Sequence, residues 1–431
     1  MPTEQAIAGA VLVDHRIRVP LDHDHDHDHD RAAGAGAGVG VGAGAGDGET
    51  IEVYAREVAA PDGRDRPFLV FLQGGPGHEA PRPAGGAAMP SWVARALQDY
   101  RVLLLDQRGT GRSTPYGPPG PDPAADAERL SHFRADAIVR DAELLREHLG
   151  VRTWSVLGQS FGGYCSLHYL CVAPDSLREV FVTGGLPPVG RPVDDVYAAT
   201  FQTMGRLNDR YHRQFPGDRE RLARLLHRCA AGEIPGPGGE PMSPRLLRTI
   251  GHHLGMGGGA ELVHFLLERD PDSAAFRHDL VALLPFDDRN PLYAVLHESS
   301  YTDGGHTGWS AQRVQPDDFG DGSDLLTAEH LYPWHFEDDA RLRPYQAVAS
   351  RLADHPWPRL FDAERLAAVD IPCAAAIYAD DPYVDRRFSE ETAALVPSMR
   401  PWLTNAHLHN GLRLDGARIL DRLIGLAHGT V

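Results

Sequence analysis

The residues with the clearest chemical potential lie in Gly158-Gln159-Ser160-Phe161-Gly162, which matches G-x-S-x-G. Where a strand runs into a helix, such a turn lifts the serine hydroxyl above the sheet. Without that chemistry, the pentapeptide would be a glycine-rich turn with a simple N-cap serine. A serine hydroxyl is a weak nucleophile at neutral pH. It needs a histidine to take its proton and a carboxylate to orient and charge-balance that histidine. Behind this motif the chain order is serine, acid, histidine. The acids in range are Asp380, Asp381 and Asp385, and the histidines are His407 and His409, with His428 further on. Position alone leaves both choices open.

Acyl transfer also needs two N-H donors aimed at the developing oxyanion. The amide of Phe161 is one. The second is expected from Gly74-Gly75-Pro76-Gly77, with Gly75 the best placed. An ordinary turn is the plainer account of that loop. Phosphate binding fits it poorly, because the chain has no G-x-G-x-x-G or G-K-S/T and Pro76 lacks a donor.

The elements that must hold these groups follow from the apolar pattern. Buried strands are predicted at 68–72, 100–105, 154–157 and 180–183, with helices over 130–149 and from 162 to 171. This strand and helix alternation predicts a mostly parallel sheet covered on both faces, an α/β fold. From 197 to about 352 the pattern turns helical, including 201–215, 220–229 and 262–268. A strand at 371–378, a helix at 389–395, a strand at 399–404 and a helix at 416–426 then close the chain. The expected organisation is a first core part (1–187), a helical cap (188–352) and a second core part (353–431). The cap should sit over the carboxyl ends of the strands, where such sheets carry their sites.

Composition narrows the function. The 431 residues carry 60 Asp+Glu against 42 Lys+Arg, a formal net charge of -18. That argues against nucleic-acid or anionic-membrane binding, which needs clustered cations. Four cysteines, without metal-site spacing, predict neither a disulfide framework nor a zinc site. No apolar run approaches the roughly 18 residues of a membrane span, and no signal peptide is visible. The segment 22–46 is low in complexity. Asp and His alternate through His23, His25, His27 and His29, followed by a Gly/Ala run. Those histidines can line one face of a strand and hold a divalent metal loosely. A solvated, disordered insertion is the plainer expectation. Its flanks, 11–21 and 51–58, read as the arms of a hairpin.

Several motifs together resemble the proline iminopeptidases of the α/β-hydrolase fold, in their larger bacterial form. They are Gly74-Gly75-Pro76-Gly77, Asp106-Gln107-Arg108-Gly109-Thr110-Gly111-Arg112-Ser113 and Gly158-Gln159-Ser160-Phe161-Gly162-Gly163-Tyr164. Further along come Gly184-Gly185-Leu186-Pro187-Pro188, Asn290-Pro291-Leu292-Tyr293-Ala294, Trp334 and Asn410-Gly411-Leu412-Arg413. The resemblance favours Asp381, three positions before the small apolar Val384, as the triad acid. It favours His409, immediately before Asn410-Gly411, as the base.

It also implies the activity. A serine aminopeptidase of this kind releases N-terminal proline from short peptides through an acyl-enzyme, with no metal or organic cofactor. Cap carboxylates would hold the imino cation. Glu329 is the first candidate and Glu298 the second, with Tyr332, Trp334, Tyr301 and Trp309 as candidate pocket walls. Solvated helix faces and cap packing are the plainer accounts of these residues. The resemblance is broken at Ala328-Glu329-His330, Asp380-Asp381-Pro382 and Ala406-His407-Leu408-His409, where the larger family members have other neighbours. Those changes bear on substrate preference more than on hydrolysis. An esterase, amidase or broader aminopeptidase is the alternative, and a non-catalytic binding protein on the same fold is the alternative of another class. A cytoplasmic location is expected; oligomeric state is not legible.

Overall fold

The computed structural model describes residues 3–24 and 48–431. Nine strands form one sheet: β1 (Thr3–Ile7), β2 (Ala10–Pro20), β3 (Thr50–Ala59), β4 (Phe68–Leu72), β5 (Arg101–Asp106), β6 (Trp154–Gln159), β7 (Leu177–Thr183), β8 (Cys373–Tyr378) and β9 (Met399–Thr404). Their order is β1-β2-β3-β5-β4-β6-β7-β8-β9. β1, β2 and β3 pair antiparallel, β3 joins β5 antiparallel, and all remaining pairs are parallel.

The central strands read as continuous apolar runs because both of their faces are covered. In β4, Phe68, Val70 and Leu72 enter one core, while Leu69 and Phe71 enter the other. In β8, Cys373, Ala375 and Ile377 alternate in the same way with Ala374, Ala376 and Tyr378. The first face is packed by helices α1 (Ala135–His148) and α2 (Phe161–Val172). The second is packed by a short helix at Ser91–Ala96 and by the closing helix Gly416–Ala427.

Between β7 and β8 the chain makes a helical insertion. It includes α3 (Val193–Gln214) and α4 (Pro291–Ser300) and contains no named strand. Leu292 and Leu296 of α4 pack with Leu130 and Phe133 of the core, which seats the insertion on the sheet domain.

Three local features differ from the sequence expectations. The edge strand β1 and the helix Ser91–Ala96 were not expected, since Thr3–Ile7 is short and half polar. The helix expected over 130–149 is two helices, Pro123–Ser131 and α1. The break falls at Arg134, whose buried guanidinium turns to the insertion and donates to the carbonyls of Thr302 (2.6 Å) and Pro358 (3.1 Å). The hairpin expected around the low-complexity tract is present: β2 and β3 pair antiparallel as its arms, from Val11 with Ala59 to Pro20 with Thr50. His25, His27 and His29 lie outside the described residues. His23 is described and is nearly buried, 2.9 Å from Asp141 and 2.8 Å from the Arg108 guanidinium.

Candidate active site

Ser160 occupies the turn between β6 and α2 with φ 54° and ψ -125°, a positive φ that a non-glycine residue rarely adopts. The neighbouring glycines permit this turn. A Cβ on Gly162 would come within 1.9 Å of the Leu72 carbonyl oxygen, and one on Gly163 within 2.3 Å of the Gly185 oxygen. The turn is tied to the sheet by the Ser160 amide, which donates to the Thr183 carbonyl at 3.0 Å.

His409 follows β9 on a loop and is 4% exposed. Its Nε2 stands 2.9 Å from Ser160 Oγ, and its Nδ1 stands 2.7 Å from Asp381 Oδ2. The other Asp381 oxygen accepts the amides of Tyr383 (2.9 Å) and Val384 (3.0 Å), so the carboxylate is fixed through both oxygens. Asp380 instead faces outward and pairs with Arg210 at 3.0 Å, and Asp385 caps its own helix. His407 approaches Asp415 and His428 bonds Glu179, both away from Ser160. Burial pushes the His409 ring towards neutrality. The charge and hydrogen bond of Asp381, with the charge of Glu329, outweigh this and hold its pKa above the ordinary imidazole value.

The glycine loop after β4 closes the site from the other side. Gly75 has φ +132°, and Gly74 and Gly75 share one cavity wall with Ser160. Phe161 is the first residue of α2, so its amide has no partner within the helix. The Asp106–Ser113 motif acts as a brace. Gln107 donates to the Gln73 carbonyl (3.0 Å), and the Gln73 side chain in turn bonds the Gly74 amide (3.0 Å) and the Glu79 carbonyl (3.1 Å). Arg108 is wholly buried on Asp141, at 2.6 and 2.7 Å.

The cavity above Ser160 measures about 170 Å³. The insertion supplies its roof, including His252, His253, Met256, Leu284, Tyr293 and Glu329. The roof is tied to the His409 loop: the His409 amide donates to the Gly255 carbonyl (3.1 Å), and Asn410 Oδ1 accepts the Gly257 amide (2.8 Å).

Glu329 lies on an irregular segment rather than a helix, with its side chain 13% exposed. The Tyr293 hydroxyl donates to it, and the Tyr301 hydroxyl lies 3.5 Å away. His252 and His297 stand 3.9 and 3.8 Å from its oxygens. Burial keeps both rings neutral, with His297 pushed down to about 4. No arginine pairs with Glu329 among the described residues. Burial pushes its pKa up to about 7, against the lowering influence of His409's charge and the Tyr293 hydrogen bond.

The structure does not bring Glu298, Tyr332 or Trp334 to this cavity. Glu298 shares α4 with Tyr293 but is five residues on, about 140° around the helix axis. Its Oε1 accepts the Ala311 amide at 3.1 Å, and with Trp309 it lines a separate small cavity. Tyr332, Trp334 and His335 stack on one another inside the insertion, and Arg245 covers Trp334. Tyr293, His252 and Arg413 are cavity residues that sequence reasoning did not single out. Tyr293 and Arg413 did stand inside quoted family motifs, Asn290–Ala294 and Asn410–Arg413.

A serine on a strand-to-helix turn, bonded to a histidine that is bonded to a carboxylate at the carboxyl ends of a parallel sheet, is the arrangement of an α/β hydrolase. Residues 67–229 match the family model for the alpha/beta hydrolase fold. A proline iminopeptidase of Aeromonas sobria is 43% identical over 394 residues, covering 88% of this chain and 92% of its own length. Another, from Aspergillus aculeatus, is 30% identical over 404 residues, covering 88% of this chain and 89% of its own. The chain belongs to the proline iminopeptidase family of α/β hydrolases.

Proposed function

We propose that this enzyme hydrolyses the first peptide bond of short peptides that begin with proline. The observation that carries this reading is Glu329, a largely buried carboxylate that faces the same cavity as Ser160 and has no arginine partner among the described residues. An uncompensated acid held largely out of water invites a cation. The secondary ammonium of an N-terminal proline supplies one, on the same residue as the carbonyl that Ser160 attacks.

In this mechanism His409 takes the proton of Ser160 as its oxygen attacks the carbonyl carbon. Asp381 holds the imidazole in the required tautomer and stabilises the imidazolium. The amides of Phe161 and Gly75 hold the oxyanion. His409 then protonates the leaving amine, the C–N bond breaks, and prolyl-Ser160 remains. Water, deprotonated by His409, attacks the ester and releases proline. The insertion, drawn as a cap over 188–352, keeps bulk water from the amine site. Four buried cysteines, none of them bridged, fit a cytoplasmic setting. No described helix is long and apolar enough to cross a membrane.

The test compares hydrolysis of proline, alanine and leucine naphthylamides with that of a short-chain ester, in the wild type and in Ser160→Ala. The expected result is preference for the proline amide and loss of all amide hydrolysis in the variant. Preference for the ester would overturn the peptidase reading, and activity persisting in Ser160→Ala would overturn the mechanism.

A further inference from the structure

The chain contains no lysine, so apart from histidine its side-chain cations are its arginines. Arg413 is the arginine on the wall of the catalytic cavity, and it is exposed at the cavity's open side. It has no ion-pair partner among the described residues. The nearby carboxylates are engaged elsewhere. Asp415 faces His407 (3.6 Å) and Arg418 (3.9 Å), and Glu79 is held by Arg289 at 2.6 Å. One cavity therefore holds an unpaired acid at its buried end, Glu329, and an unpaired base at its mouth. Ser160 and His409 line the same cavity, and His409 feels both charges, raised by Glu329 and lowered by Arg413.

That polarity matches a zwitterion. With the prolyl ammonium at Glu329 and the scissile carbonyl at Ser160, the leaving residue points to the mouth. In a dipeptide the terminal carboxylate lies one residue beyond the scissile bond, about 3.5 Å of extended chain. A guanidinium receives a carboxylate through two parallel N-H donors, a geometry an ammonium cannot copy. We propose that Arg413 binds the terminal carboxylate of the leaving residue and so selects dipeptides over longer or C-terminally blocked peptides. This rests on Glu329 binding the amine.

The test measures kcat/KM for Pro-Ala and for Pro-Ala amide, which differ only in the terminal charge. Because Arg413 is exposed and partly screened, the expected preference of the wild type for the free acid is about tenfold, expressed mainly in KM. In Arg413→Gln the ratio should fall to near one, and Arg413→Lys should retain part of it. Raising the salt concentration should shrink the wild-type ratio. Equal cleavage of acid and amide by the wild type, or an unchanged ratio in Arg413→Gln, would overturn the proposal. If the wild type instead fails on proline naphthylamide, which has no carboxylate, the amine-site reading itself has failed.

Discussion

Glu329 and His409 face one cavity, and each shifts the proton affinity of the other: the imidazolium lowers the carboxyl, and the carboxylate raises the imidazole. Both must be deprotonated for the proposed reaction, Glu329 to attract the ammonium and His409 to accept the serine proton. Because the Glu329 carboxyl is raised to about 7, its anion is present above that pH and is lost below it. The acid limb of kcat/KM for a proline amide should therefore approach a slope of two on a logarithmic scale. Glu329→Gln should lower kcat/KM by on the order of 100-fold at pH 8, the cost of losing a buried charge partner, and should reduce the limb to a slope of one. A pH profile for both proteins decides this, and a variant that keeps the wild-type slope removes Glu329 from the amine site.

Much of this site was legible in the chain. A strand, Ser160 between glycines and a helix make a local pattern that allows few conformations. Asp381 and His409 were harder, because their meeting depends on β8 lying beside β7 and β9 beside β8, a fact of sheet order that local periodicity does not carry. The family motifs supplied it. The insertion was the least legible part. On α4, Tyr293 and Glu298 are both buried, so hydrophobic patterning does not say which one faces the substrate. The 140° between them decides it, and that depends on how α4 is rotated against the core. Arg134 likewise gave no sign in sequence that it would stop one helix and start another, because its partners are carbonyls some 168 and 224 residues away.

Glu298 should make stability depend on pH. Its Oε2 is buried without a hydrogen-bond partner, and burial pushes its carboxyl from 4.5 up to about 7. A raised folded-state pKa means that the folded protein binds the proton more tightly than the unfolded chain does. The associated stability is fully present below 4.5 and is lost as pH rises through about 7. The loss is on the order of 3 kcal/mol. Glu298→Gln cannot ionise, so its stability should fall less than that of the wild type between pH 5 and pH 8. Urea unfolding of both proteins at the two pH values measures the difference. An identical fall in both would show that Glu298 does not ionise with a raised pKa.

Two glycines should respond in opposite directions to the same substitution. At Gly162 an added Cβ would sit 1.9 Å from the Leu72 carbonyl oxygen, which is sheet backbone and cannot yield without moving β4 away from α2. Gly162→Ala should therefore cost about 3 kcal/mol or more, and it should distort the turn that presents Ser160. Gly205 lies inside α3, where an added Cβ would meet nothing within 4 Å. There alanine reduces the backbone freedom of the unfolded chain and improves helix propensity, so Gly205→Ala should stabilise by about 0.5–1 kcal/mol. Thermal unfolding of the pair checks both signs. A Gly162→Ala protein that melts with the wild type and keeps its activity would mean that α2 can draw back from the sheet, and the close packing described for the Ser160 turn would then not be what positions the nucleophile.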